Sequence, residues 1–315
     1  MGIPERLVAL AFLVSVLTVL AVGAVILAGH ALRLVGLGAP WLPRVPRALQ
    51  AVVLSLAALG ILCMAYGYFV EPYWLQVTRV RITSGKLPTG TRPLRIVHVS
   101  DLHCDPRVRL EDRLPQAVAR ERPDLILFTG DTVNSPATLP VFKRCISALA
   151  RMAPTFAVRG NWDAWYWGNL DLYGQTGVRL LNGEGVMLTV KGARVWVTGV
   201  DYGAADRIGL AVGPASAGVF TILLYHSPDG IAQAARSGAD LWLAGHTHGG
   251  QVALPFYGAL VTLSSTGKKY ESGLYRVGGT WLYVNRGIGM EGGLPRVRFL
   301  ARPELTVIEI APQVP

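Results

Sequence analysis

Charged residues are scarce in this sequence. Only 30 basic and 20 acidic residues occur among 315, which is 16%, and the mean hydropathy is +0.37. Because soluble domains average about 25% charged residues, the composition excludes disordered and collagen-like chains and disfavours an ordinary soluble protein. The length leaves room for a membrane anchor and one domain of roughly 200 to 250 residues.

Cysteine is also scarce. Cys63, Cys104 and Cys145 stand far apart, which argues against a disulfide framework and favours a reducing compartment. The net charge of +10 suits nucleic acid, an anionic membrane surface or a phosphorylated substrate. No nucleic-acid motif accompanies it and the basic residues are dispersed, so nucleic acid is not expected as a partner. No protein partner is predicted.

Charge is absent from two long segments near the N-terminus, residues 7–32 and 48–70. Each exceeds the roughly 20 residues that a helix needs to cross a bilayer core. We therefore predict a membrane anchor over residues 1–70, with two spanning helices joined by a Gly- and Pro-rich turn at 33–47. A buried helix is one alternative. A cleaved signal peptide is another, but the first segment is too long for one and a second segment follows it.

A helical hairpin would place the N-terminus and everything after residue 70 on the same side of the membrane. Arg33, Arg44 and Arg47 lie in the turn, and basic residues also flank the other end. The positive-inside rule and the unpaired cysteines favour the inner (plasma) membrane with the C-terminal domain facing the cytoplasm. The opposite orientation stays open.

Residues 71–93 are interpreted as a juxtamembrane strand and connector with short β-prone pieces, and residues 94–315 as a globular domain. Strands are predicted from apolar, β-branched runs at 94–100, 124–129, 155–159, 186–190, 194–199, 220–226, 241–244, 281–285 and 305–310. Helices are predicted at 111–121, 139–150 and 229–236. The first half alternates strand and helix, which predicts parallel βαβ units, and the strand-rich second half predicts antiparallel pairing.

Five of the junctions between strand and loop carry histidine, aspartate or asparagine. These residues are Asp101, His103, Asp131, Asn161, His226, His246 and His248. Ligands of layered α/β domains bind at the carboxyl ends of strands, so the seven side chains are expected to converge. Glycine precedes Asp131, Asn161 and His246, and allows the backbone to turn sharply and approach closely. Carboxylates and imidazoles packed this densely need cations to offset desolvation and repulsion.

The order of these blocks, D-x-H, G-D, G-N, H and G-H-x-H, resembles the calcineurin-like metallophosphoesterase superfamily. Residues after the last block are similar to its membrane-anchored bacterial branch, which includes UDP-2,3-diacylglucosamine diphosphatases. The resemblance implies an α/β fold with four layers, α/β/β/α, and two mixed sheets, here preceded by the transmembrane hairpin.

The resemblance also implies two divalent metal ions. Asp101, His103, Asp131 and His248 would hold one, and Asp131, Asn161, His226 and His246 the other. Asp131 and Asn161 are the predicted catalytic residues, and Mn²⁺ is the first expectation, with Fe or Zn²⁺ as alternatives. The two metal ions would activate a bridging hydroxide that attacks phosphorus.

Trp162 departs from the family pattern, which usually has a histidine there near the leaving-group oxygen. Indole offers one N–H donor and cannot act as an acid, so the substitution favours a leaving group that departs as a stable anion, as in a diphosphate bond. Loss of activity is the other interpretation. Trp162, Asp163, Trp165 and Arg107 are candidate substrate-binding residues, and the adjoining aromatic side chains suit acyl chains or pack into the core.

These expectations define a membrane-anchored phosphohydrolase that cleaves a diphosphate bond in a phosphorylated, lipid-linked substrate, with UDP-2,3-diacylglucosamine as the named candidate. A broad phosphodiesterase or phosphomonoesterase of the cell envelope is the first alternative. A non-catalytic, metal-stabilised membrane protein is the second.

Overall fold

The computed structural model describes residues 3–37, 45–213, 218–293 and 296–313. The helices are α1 Ile3–Leu34, α2 Arg47–Phe69, α3 Leu114–Glu121, α4 Leu139–Ala150, α5 Asn161–Tyr166, α6 Ile208–Val212 and α7 Ile231–Ser237. The strands are β1 Gln76–Ser84, β2 Leu94–Val99, β3 Leu125–Phe128, β4 Thr155–Ala157, β5 Arg179–Leu180, β6 Glu184–Val190, β7 Ala193–Gly199, β8 Phe220–Leu224, β9 Leu241–Ala244, β10 Ala253–Leu254, β11 Gly258–Ala259, β12 Gly273–Val277, β13 Thr280–Val284 and β14 Glu304–Pro312.

Two six-stranded mixed sheets form the centre of the domain. The first has the order β1-β14-β2-β3-β4-β5 and the second the order β12-β13-β9-β8-β7-β6. One hydrophobic cluster packs α3 and α4 on the first sheet, a second lies between the sheets, and a third packs α6 and α7 on the second sheet. The predicted four-layer α/β/β/α architecture is confirmed.

Side-chain alternation along β2 and β3 builds these layers. Leu94 and Ile96 of β2 enter the cluster between the sheets, whereas Val97 and Val99 face the helices. In β3 the side chains alternate in the same way. Because both faces of the sheet are covered, these strands are apolar almost throughout, as expected for a buried parallel sheet. Their carboxyl ends meet at one edge of the sheet.

One prediction about the strands was wrong. The centre of the second sheet is parallel, since β7, β8, β9 and β13 pair in parallel and only the outer pairs β6–β7 and β12–β13 are antiparallel. The reason is that α6 and α7 provide crossovers, which the sequence pattern resolved poorly. The strand predicted within residues 71–93 is present as β1, which pairs in parallel with β14 along nine residues, from Gln76↔Glu304 to Ser84↔Pro312.

The helices α1 and α2 are long and apolar enough to cross a membrane. Only 11% and 6% of their most apolar windows are buried within the protein, so they are not core helices of the domain. They pack on each other, with Nε2 of His30 2.8 Å from Oε1 of Gln50. The predicted turn overlaps the linking segment, but its residues 38–44, including Gly38, Pro40, Pro43 and Arg44, lie outside the described residues.

Candidate metal centre

The seven predicted ligands lie on loops that leave the carboxyl ends of β2, β3, β4, β8 and β9. All of them are buried, with side chains no more than 8% exposed. The backbone is left-handed at five of them: Asp101, His103, Asp131, His246 and His248. Non-glycine residues seldom adopt this conformation, and clusters of such residues occur mainly at functional sites. The sharp turns bring these side chains close together where the strands end.

Asp101 joins two groups of potential ligand atoms, and within each group the atoms lie within 4.8 Å of one another. The first group is Asp101, His103 and His248, and the second is Asp101, Asp131 and His226. Oδ2 of Asp131 lies 3.4 Å from Nε2 of His103 and 3.3 Å from Nε2 of His226. One carboxylate oxygen therefore stands between imidazoles that belong to different predicted ion sites, as a bridging ligand would.

Asn161 and His246 also lie close to the other predicted ligands. Oδ1 of Asn161 lies 2.8 Å from Nδ1 of His246, and the His246 ring centroid is 5.2 Å from that of His226. The backbone N–H of Trp162, which follows Asn161, donates to Oδ1 of Asp131 at 2.9 Å. The structure thus brings all seven predicted ligands to one place.

Glycine is required where the loops cross. A Cβ on Gly130 would overlap the backbone of Gly160, and a Cβ on Gly245 would overlap the side chains of Ser100 and Asp101. Larger residues at either position would push the loops apart. These glycines therefore set the close packing of the ligand-bearing turns.

The pKa values of the buried carboxylates and imidazoles indicate that the centre needs positive charge. Burial raises the pKa of Asp101. Burial also favours the neutral form of Asp131, but the imidazoles of His226 and His103 outweigh it and hold the pKa of Asp131 well below its ordinary value. Conversely, burial lowers the pKa of His226, and the carboxylates of Asp131 and Asp101 overcome this and raise it to about 10. A divalent ion would supply the positive charge that a proton on His226 otherwise supplies.

Neighbouring groups orient the imidazoles. Nδ1 of His103 lies 3.0 Å from Oδ1 of Asn134, and Nδ1 of His226 lies 2.6 Å from the carbonyl oxygen of Thr129. These contacts leave the Nε2 atoms facing inward, which is the usual arrangement around metal-binding histidines. Sequence analysis missed Asn134, although its place three residues after Asp131 was a usable signal.

The outcome for the candidate substrate-binding residues is mixed. The prediction for Asp163 is wrong, because its carboxylate is fully buried and accepts hydrogen bonds from the backbone N–H groups of Gly160, Asp131 and Thr132. It fastens two ligand loops together. Arg107 is placed elsewhere, with its guanidinium over the ring of Tyr73, 5.5 Å from the centroid.

Trp162 and Trp165 flank the centre. The Trp162 ring meets His103 edge-on at 5.4 Å between centroids, and its Nε1 lies 3.4 Å from Oε1 of Glu291. Trp165 is 61% exposed and packs edge-on against Tyr202, whose ring lies 5.8 Å from that of His246. Both indoles therefore line the rim, where a substrate could reach them, and their role in binding stays a prediction.

The donor set fits divalent ions. Nε2 of His103 and Nε2 of His226 are buried and, within the described part of the chain, make no hydrogen bond. Such atoms are costly unless something else satisfies them. Imidazole nitrogens and carboxylate oxygens without thiolates suit Mn²⁺, Fe or Zn²⁺.

Comparison with known proteins identifies the family. A family model described as calcineurin-like phosphoesterase matches residues 94–250. The chain is 36% identical over 261 residues to the uncharacterized metallophosphoesterase YkuE of Bacillus subtilis, covering 78% of this chain and 89% of that protein. The chain belongs to the calcineurin-like metallophosphoesterases. As a metallophosphoesterase it is a hydrolase that depends on divalent metal.

The chain is also similar to a bacterial phosphodiesterase and to a vertebrate transmembrane protein. This metallophosphoesterase is 32% identical over 275 residues to phosphodiesterase YaeI of Escherichia coli, covering 84% of this chain and 98% of that one. It is 29% identical over 282 residues to a transmembrane protein with metallophosphoesterase domain from Danio rerio, covering 82% of this chain but 62% of that protein. A transmembrane protein with this domain thus occurs among its relatives.

Proposed function

We propose that this protein is a membrane-anchored, two-metal phosphohydrolase whose substrates carry a leaving group that departs as a stable anion. A diphosphate bond in a lipid-linked substrate is the first candidate. The single observation that carries this proposal is Trp162, which stands beside His103 where the family pattern has a histidine. Since indole gives up no proton to a leaving group, an alkoxide would depart slowly, whereas a phosphate needs no acid.

The residues have separate roles in this scheme. Asp101, His103, Asp131 and His248 would hold one ion, and Asp131, Asn161, His226 and His246 the second. When bound, such ions lower the pKa of coordinated water toward neutrality and neutralise charge on phosphoryl oxygens. Mn²⁺ is our first expectation. Asp163 keeps the Asp131 and Asn161 loops in register. Trp162 lies against His103 on one side of the centre.

An activated phosphodiester bond is the second candidate, and the similarity to phosphodiesterase YaeI favours it. UDP-2,3-diacylglucosamine is the specific diphosphate substrate that the sequence resemblance implies. The proposed orientation, with the catalytic domain on the cytoplasmic side of the inner membrane, suits a nucleotide-linked substrate of this kind.

A substrate panel tests the proposal. Full-length protein in detergent, reconstituted with Mn²⁺, is given UDP-2,3-diacylglucosamine, bis-p-nitrophenyl phosphate and an alkyl phosphomonoester. We expect hydrolysis of the diphosphate or the activated diester, and slow turnover of the alkyl monoester. Preferential turnover of the alkyl monoester would contradict the proposal. The Asp131→Asn variant serves as the inactive control.

A further inference from the structure

The ends of the two anchor helices are built into the catalytic domain. The backbone N–H of Arg298 donates to the carbonyl oxygen of Gly67 in α2 at 3.0 Å. The buried carboxylate of Glu71 accepts hydrogen bonds from the backbone N–H groups of Leu300 at 2.9 Å and Ala301 at 2.6 Å. The orientation of the domain against the helices, and hence against a bilayer, is therefore fixed by hydrogen bonds rather than by a linker.

Three loops surround the helix ends, and we call them the collar: residues 252–259, 263–270 and 298–302. The first loop is joined to the third, because the backbone N–H of Ala253 donates to the carbonyl oxygen of Phe299 at 2.8 Å and the Phe299 ring packs edge-on against Tyr66 of α2. The second loop meets α1, since a Cβ on Gly267 would collide with the carboxylate of Glu5. The collar thus lies where α1 begins and α2 ends.

The collar exposes apolar and aromatic side chains. Phe256 is fully exposed at the tip of the β10–β11 hairpin, and Leu263 and Leu300 are about half exposed, at 49% and 51%. Trp74, just after α2, is 52% exposed. Isolated apolar residues on a surface need no explanation, but these border the ends of two helices suited to a bilayer. Aromatic residues at that level are typical of the membrane–water interface.

Cationic groups accompany these side chains. The guanidinium of Arg302 lies over the Trp74 ring at 4.0 Å, and the ammonium group of Lys268, which pairs with Glu271 at 2.9 Å, lies over the Tyr257 ring at 4.2 Å. Lys269 stands beside Lys268 in the same loop. Cations interleaved with aromatic rings suit the anionic headgroup layer, in which each basic residue near the surface adds about 1 kcal/mol of attraction.

The collar also reaches the metal centre. The carbonyl oxygen of Leu263 lies 3.3 Å from Nε2 of His246, and the Leu263 side chain points outward. The backbone at Leu263 is left-handed, which turns the loop sharply between the centre and the surface. A single residue, Leu263, therefore contacts a predicted metal ligand through its carbonyl group and the exposed surface of the collar through its side chain.

From these contacts we infer that the collar is a lipid-interfacial surface that rests in the headgroup layer and admits an amphiphilic phosphate substrate to the metal centre past Leu263. This inference rests on the proposed function for the identity of the reaction, but the location of the collar does not depend on it. The substrate class is an amphiphile whose acyl chains stay in the bilayer while its phosphate group lies at headgroup level.

Fluorescence quenching tests the location of the collar. A fluorophore is attached to Phe256→Cys in full-length Cys63→Ala protein in nanodiscs of phosphatidylcholine and phosphatidylglycerol, since Cys104 and Cys145 are buried. Leu210→Cys is the matched control, because Leu210 is 77% exposed on α6, which packs on the second sheet. We expect spin-labelled lipid to quench the label at 256 about threefold more than the label at 210. Equal quenching would overturn the inference.

Hydrolysis rates test the access route. We expect Phe256→Asp to lower the ratio of the rate on a diacyl phosphodiester in the nanodisc to the rate on soluble bis-p-nitrophenyl phosphate by about tenfold. Leu210→Asp is expected to leave that ratio unchanged. An unchanged ratio in Phe256→Asp would refute the route. If the wild-type protein hydrolysed neither substrate while quenching still distinguished the two labels, the proposed function would fail and the interfacial surface would stand.

Discussion

The buried guanidinium of Arg298 lies 3.3 Å from Nδ1 of His248. Arg298 also donates to the carbonyl oxygens of Gly289, Ala301 and Arg286, so it ties the C-terminal loops together beneath a predicted metal ligand. Burial, the imidazole of His103 and Arg298 hold the pKa of His248 well below its ordinary value. These surroundings favour the neutral imidazole of His248, which is the form that binds metal.

Replacing Arg298 with Met is expected to weaken metal binding at the Asp101–His103–His248 side of the centre. The change leaves several buried carbonyl groups without donors and frees His248 to rotate. Loss of a residue that orients a ligand typically costs about 10- to 100-fold in metal affinity. Titration of metal-free protein with Mn²⁺ measures this, and Arg276→Met, at an exposed position over Trp281, is the control. Unchanged affinity in Arg298→Met would remove Arg298 from this role.

A substitution in the second helix is expected to destabilise the catalytic domain. A Cβ on Gly67 would lie 3.1 Å from the carbonyl oxygen of Arg298, whereas a Cβ on Gly60 of the same helix meets nothing within 4 Å. Gly67→Val overpacks the junction and is expected to lower the free energy of unfolding by about 1 to 3 kcal/mol more than Gly60→Val. Thermal unfolding of both variants in the same detergent provides the comparison. Identical midpoints would mean that the anchor contributes nothing to the domain.

Trp162→His restores a potential proton donor beside the leaving group. General acids contribute about 10²- to 10⁴-fold, so we expect the rate on an alkyl phosphate to rise by at least about tenfold relative to the rate on bis-p-nitrophenyl phosphate. Trp165→His, at the exposed rim, is the matched control and is expected to leave the relative rates unchanged. If both variants behaved alike, the argument from the leaving group would lose its basis.

Acid is expected to destabilise the domain partly through His98. Burial lowers the pKa of His98 to about 3, and its Nε2 lies 2.9 Å from Oγ1 of Thr129. In the unfolded chain the pKa of histidine is about 6.5, so only the unfolded state takes up this proton as the pH falls from about 6.5 to 3. Stability is therefore lost over that range. We expect His98→Gln to reduce the slope of unfolding free energy against pH by about 1.4 kcal/mol per unit, measured by denaturant unfolding between those limits.

The parts that local patterns determine were predictable from the sequence. Apolar runs that end in polar residues predicted β2, β3, β8 and β9. Asp101 and His246 lie at such junctions, so their convergence followed from the sequence. The boundaries agreed to within a few residues; for instance, α4 was predicted at 139–150 and spans Leu139–Ala150. The ends of strands and the spacing of the family motifs are determined by residues close together in the sequence. They can therefore be predicted without knowledge of the tertiary structure.

The parts that depend on long-range pairing were not predictable. Strand β1 pairs with β14 across more than 200 residues, and nothing near Gln76 indicates its partner. Arg298 has no local signal for its position beneath His248. Asp163 was predicted to bind substrate, but the first turn of α5 points it inward to the backbone of Asp131. Only the tertiary structure distinguishes carboxylates that face the centre from carboxylates that accept hydrogen bonds from the backbone of neighbouring loops.

The metal content of the reconstituted protein tests the central claim most directly. Purified full-length protein is loaded with excess Mn²⁺, desalted and measured by elemental analysis, with Asp131→Ala alongside it. If seven side chains bind two metal ions that Asp131 bridges, the wild-type protein holds about two ions per chain and the variant one or fewer. Fewer than about one ion in the wild-type protein, or equal content in both, would contradict the account.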